Sequence, residues 1–219
     1  RCKIFLMKEN DIGVNIRAVD LHKLPVDVYA RTTNGQDRLS GNINFFHSYD
    51  CCARQYWRTR PLCSHESTIV IIGFGNYGRC ILERAILTNI ISVDQHVAYH
   101  IFGDAREFLA MHIRLNEVFS LGKESETMDS LIFYDEFWET RREVLEKADR
   151  IIICTDDEQK GWNIFWRLNK YYRIHGHIDL HSNRKAPGVS YFGTNEDIYT
   201  PNQIMRTSLN KAAIIINDI

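Results

Sequence analysis

Glycine stands at positions 73, 75 and 78 in TIVIIGFGNYGRC, residues 68–80, directly after an apolar run and before a helical pattern. In that setting each glycine has its own chemical reason. Gly73 permits a tight turn, Gly75 lets a diphosphate approach the backbone, and Gly78 lets helix and strand pack closely. The free amides at the start of the helix then face the phosphates. Gly73, Phe74, Gly75, Asn76, Tyr77 and Gly78 therefore form a candidate cradle for NAD(H) or another adenine nucleotide.

Such a cradle is completed by an acid at the end of the second strand, which receives the ribose hydroxyls. Asp94 follows Gly73 by 21 residues and Asp104 by 31. If the segments ending in both acids were parallel strands, only Gln95 and His96 would join them, and a parallel crossover needs about a dozen residues. The longer segment, HVAYHIFGD, runs straight into a helical pattern, so Asp104 is the expected ribose acid. The helix before it must then be longer than usual.

A second polar group follows the fourth apolar strand, in CTDDE, residues 154–158. Thr155 and Asp156 are candidate ligand contacts at the carboxyl edge of a sheet. They are equally well explained as the approach to a helix, whose dipole favours acids at its start, and Asp157 and Glu158 fit that role better. His177, Asp179 and His181 share one face of a strand, but their spacing matches no common zinc pattern. Alternation in an edge strand accounts for them, and no metal is expected. Trp162 and Trp166, four apart on one helix, read as packing residues. No spacing marks a catalytic triad or a carboxylate pair, so no catalytic residue is assigned.

The elements that must hold these groups alternate. Strands are expected at 68–74, 96–104, 130–136, 149–157, HIDLHSN and GVSYFGTNE, with helical patterns between them. The last helix is expected in TPNQIMRTSLNKAAIIINDI, with Thr200 as its cap and Pro201 in its first turn. Six strands alternating with helices predict an α/β fold, a doubly wound, mostly parallel sheet of the Rossmann-like kind. Residues 1–66 repeat the pattern of the last third: CKIFLMKEN parallels HIDLHSNRK, and NINFFHSYDCCARQYWRTR parallels GVSYFGTNEDIYTPNQIMR. They are expected to be the C-terminal half of a preceding similar unit, with 67–219 as the nucleotide-binding domain. The stretch 17–42 reads as loop. Both ends read as cut points within a larger protein.

Composition sets the remaining bounds. The formal net charge of -1 gives no field for nucleic acid. No apolar run approaches the ~18 residues a membrane span needs. The six cysteines, Cys2, Cys51, Cys52, Cys63, Cys80 and Cys154, form no Cys-x-x-Cys pair. They are expected as reduced thiols, in a cytoplasmic setting.

Together, VIIGFGNYG, an acid closing the second strand and KADRIIICTDDEQKGWNI resemble the regulator-of-K+-conductance (RCK) N-terminal domain. That family comprises nucleotide-binding cytosolic modules of potassium channels and transporters. The resemblance covers residues 67–182, and residues 1–66 resemble the tail of a first such domain in a tandem. It implies a regulatory domain in which NAD(H) or an adenine nucleotide biases a coupled membrane pore, and which assembles as a homo-oligomer. Two features depart from the family: the extended first helix and the long link LNEVFSLGKESETMDS. An enzyme is not expected, because a dehydrogenase needs further residues to hold substrate against the nicotinamide, and the Rossmann-like units use nearly the whole chain. The alternatives are an NAD-dependent oxidoreductase fragment and a scaffold that has lost its ligand.

Overall fold

A computed structural model describes residues 2–6, 26–31, 43–89, 92, 94–200, 202, 204 and 205. The chain forms two compact units, residues 1–55 with 195–219, and residues 56–194. In the first unit, β1 (Cys2–Leu6), β2 (Val26–Arg31) and β3 (Ile43–Phe46) form a parallel sheet in the order β1-β2-β3. β2 lies within the stretch expected to be loop. The alternation Val26, Asp27, Val28 and Tyr29 directly after Pro25 is a strand signal that the surrounding polar residues obscure. Helix α1 (Ser48–Thr59) follows β3 and contains the boundary between the units. Most of the expected C-terminal helix, including the proposed role of Pro201, lies outside the described residues.

The second unit is a seven-stranded, wholly parallel sheet. It contains β4 (Thr68–Ile72), β5 (Ala98–Phe102), β6 (Ser120–Leu121), β7 (Ser130–Tyr134), β8 (Arg150–Ile153), β9 (His177–His181) and β10 (Ser190–Phe192). Their order is β10-β9-β8-β4-β5-β7-β6. Apart from β6, the strands run outward in two directions from the gap between β4 and β8, which is the doubly wound arrangement expected. The two-residue β6 is an addition at one edge, paired to β7 through Ser120–Ser130 and Leu121–Leu131. A strand that short has no readable periodicity.

Both faces of the sheet are covered, which is why β4 is apolar at every position after Thr68. Val70 and Ile72 face a cluster with Ile151, Ile153, Leu145, Trp162, Phe165 and Leu168. By alternation Ile69 and Ile71 face the other side, and both are fully buried. The helices are α2 (Asn76–Thr88), α3 (Arg106–Met111), α4 (Arg142–Lys147), α5 (Glu158–Tyr171) and, in the first unit, α6 (Asn195–Ile198). α2 ends at Thr88 with Asn89 as its C-cap. It is therefore not lengthened, and the described residues between it and β5 (89, 92 and 94–97) are not helical. On α5, Trp162 is buried and donates its indole N–H to Ser182 Oγ at 3.1 Å. Trp166 packs too, stacked on Trp162 at a centroid distance of 6.2 Å and edge-on to Phe165 at 5.3 Å, but it is 57% exposed. Four residues rotate a helix by slightly more than one turn, which carries Trp166 past the edge of the buried stripe.

The amino edge of the sheet is fixed by two adjacent charges. Asp149 Oδ2 accepts the backbone N–H groups of Ser67 and Thr68 at 2.8 and 2.9 Å, joining the start of β4 to that of β8. Arg150 makes a two-pronged pair with Glu66, both contacts 2.6 Å, and donates to the carbonyls of Arg60 and Pro61. Arg150 and Glu66 side chains are 6% and 2% exposed. Nearby, Tyr56 donates its hydroxyl to the buried Asp179, which also accepts from Ser190 Oγ and faces Arg60 Nε at 3.3 Å.

A buried charge that loses its partner is far more damaging than a pair replaced outright. Glu66→Ala should lower the unfolding free energy in urea by about 3–5 kcal/mol. The double variant Glu66→Leu, Arg150→Met should recover most of that loss, and equal loss in both variants would show that the pair is not what holds this edge.

Candidate functional site

Four chain segments meet at the carboxyl edge of the sheet. Where strand order reverses, the connections from neighbouring strands leave toward opposite faces and open a crevice. Here the reversal lies between β4 and β8, and the crevice is bordered by the glycine turn after β4 and by Cys154–Asp157 after β8. The end of β5, Gly103–Asp104, lies on one side, and the end of β9, His181–Ser182, on the other.

The three glycines of the turn are separable by what a side chain at each would meet. Gly73 has φ +96°, and a Cβ there would come within 3.0 Å of Thr155 N. A Cβ on Gly78 would sit 2.1 Å from the carbonyl oxygen of Gly73, so α2 can lie this close to β4 only with hydrogen at that position. At Gly75 the neighbour is different: the three atoms nearest an added Cβ all belong to the Asp156 carboxyl group. Gly75 thus keeps open a patch of backbone that a side-chain carboxylate now covers.

Phe74 is 5% exposed and packs under the turn against Phe108 and Phe133, at centroid distances of 5.3 and 5.8 Å. Its side chain belongs to the core, which leaves its backbone facing the crevice. Asn76 is exposed in the first turn of α2. Tyr77 is half-buried, with its ring 3.9 Å from that of His181 across the crevice.

Asp104 stands two residues beyond β5, beside the glycine turn. Gly103 (φ +145°) brings it there by tucking against Phe74, so closely that a methyl on Gly103 would lie 2.8 Å from the Phe74 Cβ. Both Asp104 oxygens are engaged by Arg106: Nε and the backbone N–H reach Oδ1 at 2.9 and 3.0 Å, and Nη2 reaches Oδ2 at 2.5 Å. The guanidinium hydrogen bonds hold its carboxyl well below the usual carboxylate range. Arg79 pairs with Glu107 at 2.5 Å alongside. Asp94 is exposed in the loop before β5, at the opposite edge of the sheet, with its N–H directed to Ser92 Oγ.

Thr155 is buried, and its hydroxyl donates to the carbonyl of Asp157 at 2.7 Å. Asp157 caps α5 by accepting from the N–H groups of Gln159 and Lys160. Glu158 accepts from the backbone N–H of Asn183 and Arg184 at 2.8 and 3.0 Å and from Ser182 Oγ, which fixes the chain after β9. Asp156 alone of this acidic run is directed at the glycine turn.

His181 is the site residue that sequence reasoning missed. β9 is not an edge strand, since β10 pairs with it in parallel, and the alternation that suggested an edge instead sets His181 at the crevice. Asp179, on the same face, is taken up by Tyr56 and Ser190 at mid-strand, so the three side chains do not converge. Burial lowers the His181 pKa to about 4, so the ring facing Tyr77 is neutral at pH 7. A separate apolar concavity of about 620 Å³, lined by Ile86, Leu115, Val118, Phe119 and Met128, lies at the amino edge, remote from the glycine turn.

No protein-family model matches the chain, and no curated protein matches it. Among solved structures, it is similar to the apo-structure of D-lactate dehydrogenase from Escherichia coli (10% identity, 99% of this chain and 82% of that one, TM-score 0.39). It is also similar to a dipicolinate synthase from Bacillus halodurans (8% identity, 86% and 84% covered, TM-score 0.35) and to a D-lactate dehydrogenase from Treponema pallidum (11%, 100% and 97%, TM-score 0.36). At these identities the likeness is one of fold, and the fold is Rossmann-like. Dehydrogenases recur among these neighbours, which runs against the expectation that the chain is not an enzyme. That expectation rested on too few residues remaining to bind substrate. The subtraction fails because a cofactor carries the hydride chemistry itself, and groups that hold substrate need not lie on the sheet that holds the cofactor.

Two outcomes follow from this geometry. Gly73→Ala and Gly78→Ala should each destabilise the fold by about 2 kcal/mol or more, because backbone blocks the new methyl. Gly75→Ala should change the melting temperature little, because only a mobile carboxylate must yield; three similar losses would refute the separation. The neutral His181 gives a pH dependence of defined sign. Its folded pKa lies below the ordinary ~6.5, so stability is full above pH 6.5 and falls as pH drops toward 4 and the unfolded state takes up the proton. The His181 part of that loss is about 3 kcal/mol, and His181→Gln should flatten the stability profile between pH 6.5 and 4.

Proposed function

We propose that this chain binds an adenine dinucleotide of the NAD(H) class at the β4–β8 crevice, as the cofactor-holding part of an NAD-dependent oxidoreductase. One observation carries the binding: the glycine turn, with no side chain of its own at Gly75 and a closely packed Gly78, opens onto the reversal point of the sheet. Asp104, beside the turn, is the group for the adenosine ribose, and the first amides of α2 are the donors for the diphosphate. When bound, the cofactor would supply hydride transfer, and the protein would supply its position and the exclusion of water.

Regulation of a potassium-conducting pore by the same nucleotide is the second reading. It is favoured by the Ala148-Asp149 pair before β8 and by Thr155-Asp156-Asp157 after it; both resemble the RCK stretch, and the second borders the crevice. In that reading the chain assembles as a homo-oligomer attached to a membrane domain; no described helix is long and apolar enough to cross a membrane.

Calorimetric titration of NADH into the purified chain should show saturable binding, and Gly75→Val should remove it. Asp104→Asn keeps the shape but removes the charge-assisted part of the ribose contact, so it should weaken binding by about tenfold; Asp94→Asn should leave it unchanged. Parent-like binding by Gly75→Val would show that the turn is only structural. Hydride transfer from NADH to carbonyl substrates, followed by loss of absorbance at the reduced nicotinamide band, separates the oxidoreductase reading from the regulatory one.

A further inference from the structure

The carboxylate over Gly75 is in the wrong place for a simple anion cradle. A Cβ added at Gly75 would lie 2.2 Å from Asp156 Oδ2, 2.8 Å from Cγ and 3.0 Å from Oδ1, so the whole carboxyl group occupies the space the turn leaves free. That is the space through which a diphosphate reaches the backbone. Asp156 is exposed, and among the described residues nothing donates a hydrogen bond to its side chain. The neighbouring acids are committed elsewhere, Asp157 to the cap of α5 and Glu158 to the chain after β9. His181, which interacts electrostatically with Asp156, is neutral at pH 7 and does not offset the charge.

We propose that Asp156 is the specificity-determining residue of this crevice, a negative charge held over Gly75 that must leave before a diphosphate can bind and that penalises every phosphate-bearing ligand at the turn. The inference rests on the nucleotide reading above and assigns Asp156 the opposite sign of effect from a ligand contact. Because nothing ties the side chain down, it can swing aside with little steric cost. What remains is repulsion between like charges a few ångströms apart in a solvent-rich setting, a factor of about 10 in affinity. The same charge leaves a phosphate-free nucleoside unaffected.

The test is a titration of the purified chain, with EDTA present and ionic strength fixed, using NADH, ADP and adenosine as probes. The variants are Asp156→Asn, which keeps shape and removes charge, and Asp156→Ala, which removes both. The expected result is that both variants bind NADH and ADP about tenfold more tightly than the parent, with adenosine unchanged. Unchanged or weaker binding of NADH and ADP, with the parent still binding, overturns the inference and leaves the nucleotide reading intact. An equal gain for adenosine also overturns it, because the effect would then not act on phosphate. Absence of NADH and ADP binding in parent and both variants defeats the nucleotide reading, and the inference with it.

Discussion

The fold turns on a contact that leaves no room for a methyl group, where Gly78 of α2 meets the carbonyl oxygen of Gly73. That contact sets how closely the first helix approaches the first strand of the sheet. The approach aims the free amides of α2 at the edge where strand order reverses, and the left-handed Gly73 makes the intervening turn short enough. Phe74 then has one place to go, down between Phe108 and Phe133, and Gly103 closes over it from the next strand. Asp104 is delivered to the crevice by this packing, and the backbone N–H and guanidinium of Arg106 then hold its carboxylate there.

The opposite edge is held by charge instead of close packing. Asp149 and Arg150 are neighbours in sequence with separate tasks: one collects the amides at the start of β4, the other inserts a guanidinium against Glu66 and two carbonyls. The Arg150–Glu66 pair is nearly sealed from water, where an unpartnered member would be costly. One edge is therefore closed by a sealed ion pair and the carbonyls it binds, while the other presents a glycine turn, an exposed carboxylate and a neutral imidazole.

Much of this was legible in the sequence because the signals were local. Continuous apolar runs marked the buried parallel strands, and the spacing of Gly73, Gly75 and Gly78 marked the turn. The crossover limit between Asp94 and Asp104 placed the second strand. What escaped depends on pairing between distant segments. β6 is two residues long and exists only because β7 offers an edge. β2 hides in polar surroundings. His181 was assigned to an edge strand because sequence periodicity cannot show that β10 lies outside it. The direction of Asp156 toward Gly75 was also beyond reach, since an acid before a helix is compatible with capping, solvation or ligand contact, and only the fold chooses among them. Non-enzymatic function was inferred from a residue count, and a count does not show where substrate groups come from.

The amide links from Asp149 to the start of β4 span 81 and 82 residues of chain. Every neighbour of β4 in the sheet is likewise remote: β5 begins beyond α2, and β8 only after two further strands. During synthesis the first strand of this unit must therefore wait, apolar on both faces, until its second neighbour has left the ribosome. Topologies dominated by such non-local pairing fold slowly and pass through species with exposed apolar edges. Early chain segments of this protein thus carry an apolar strand with an unpaired edge, and truncation before residue 150 would leave β4 without one of its two neighbours.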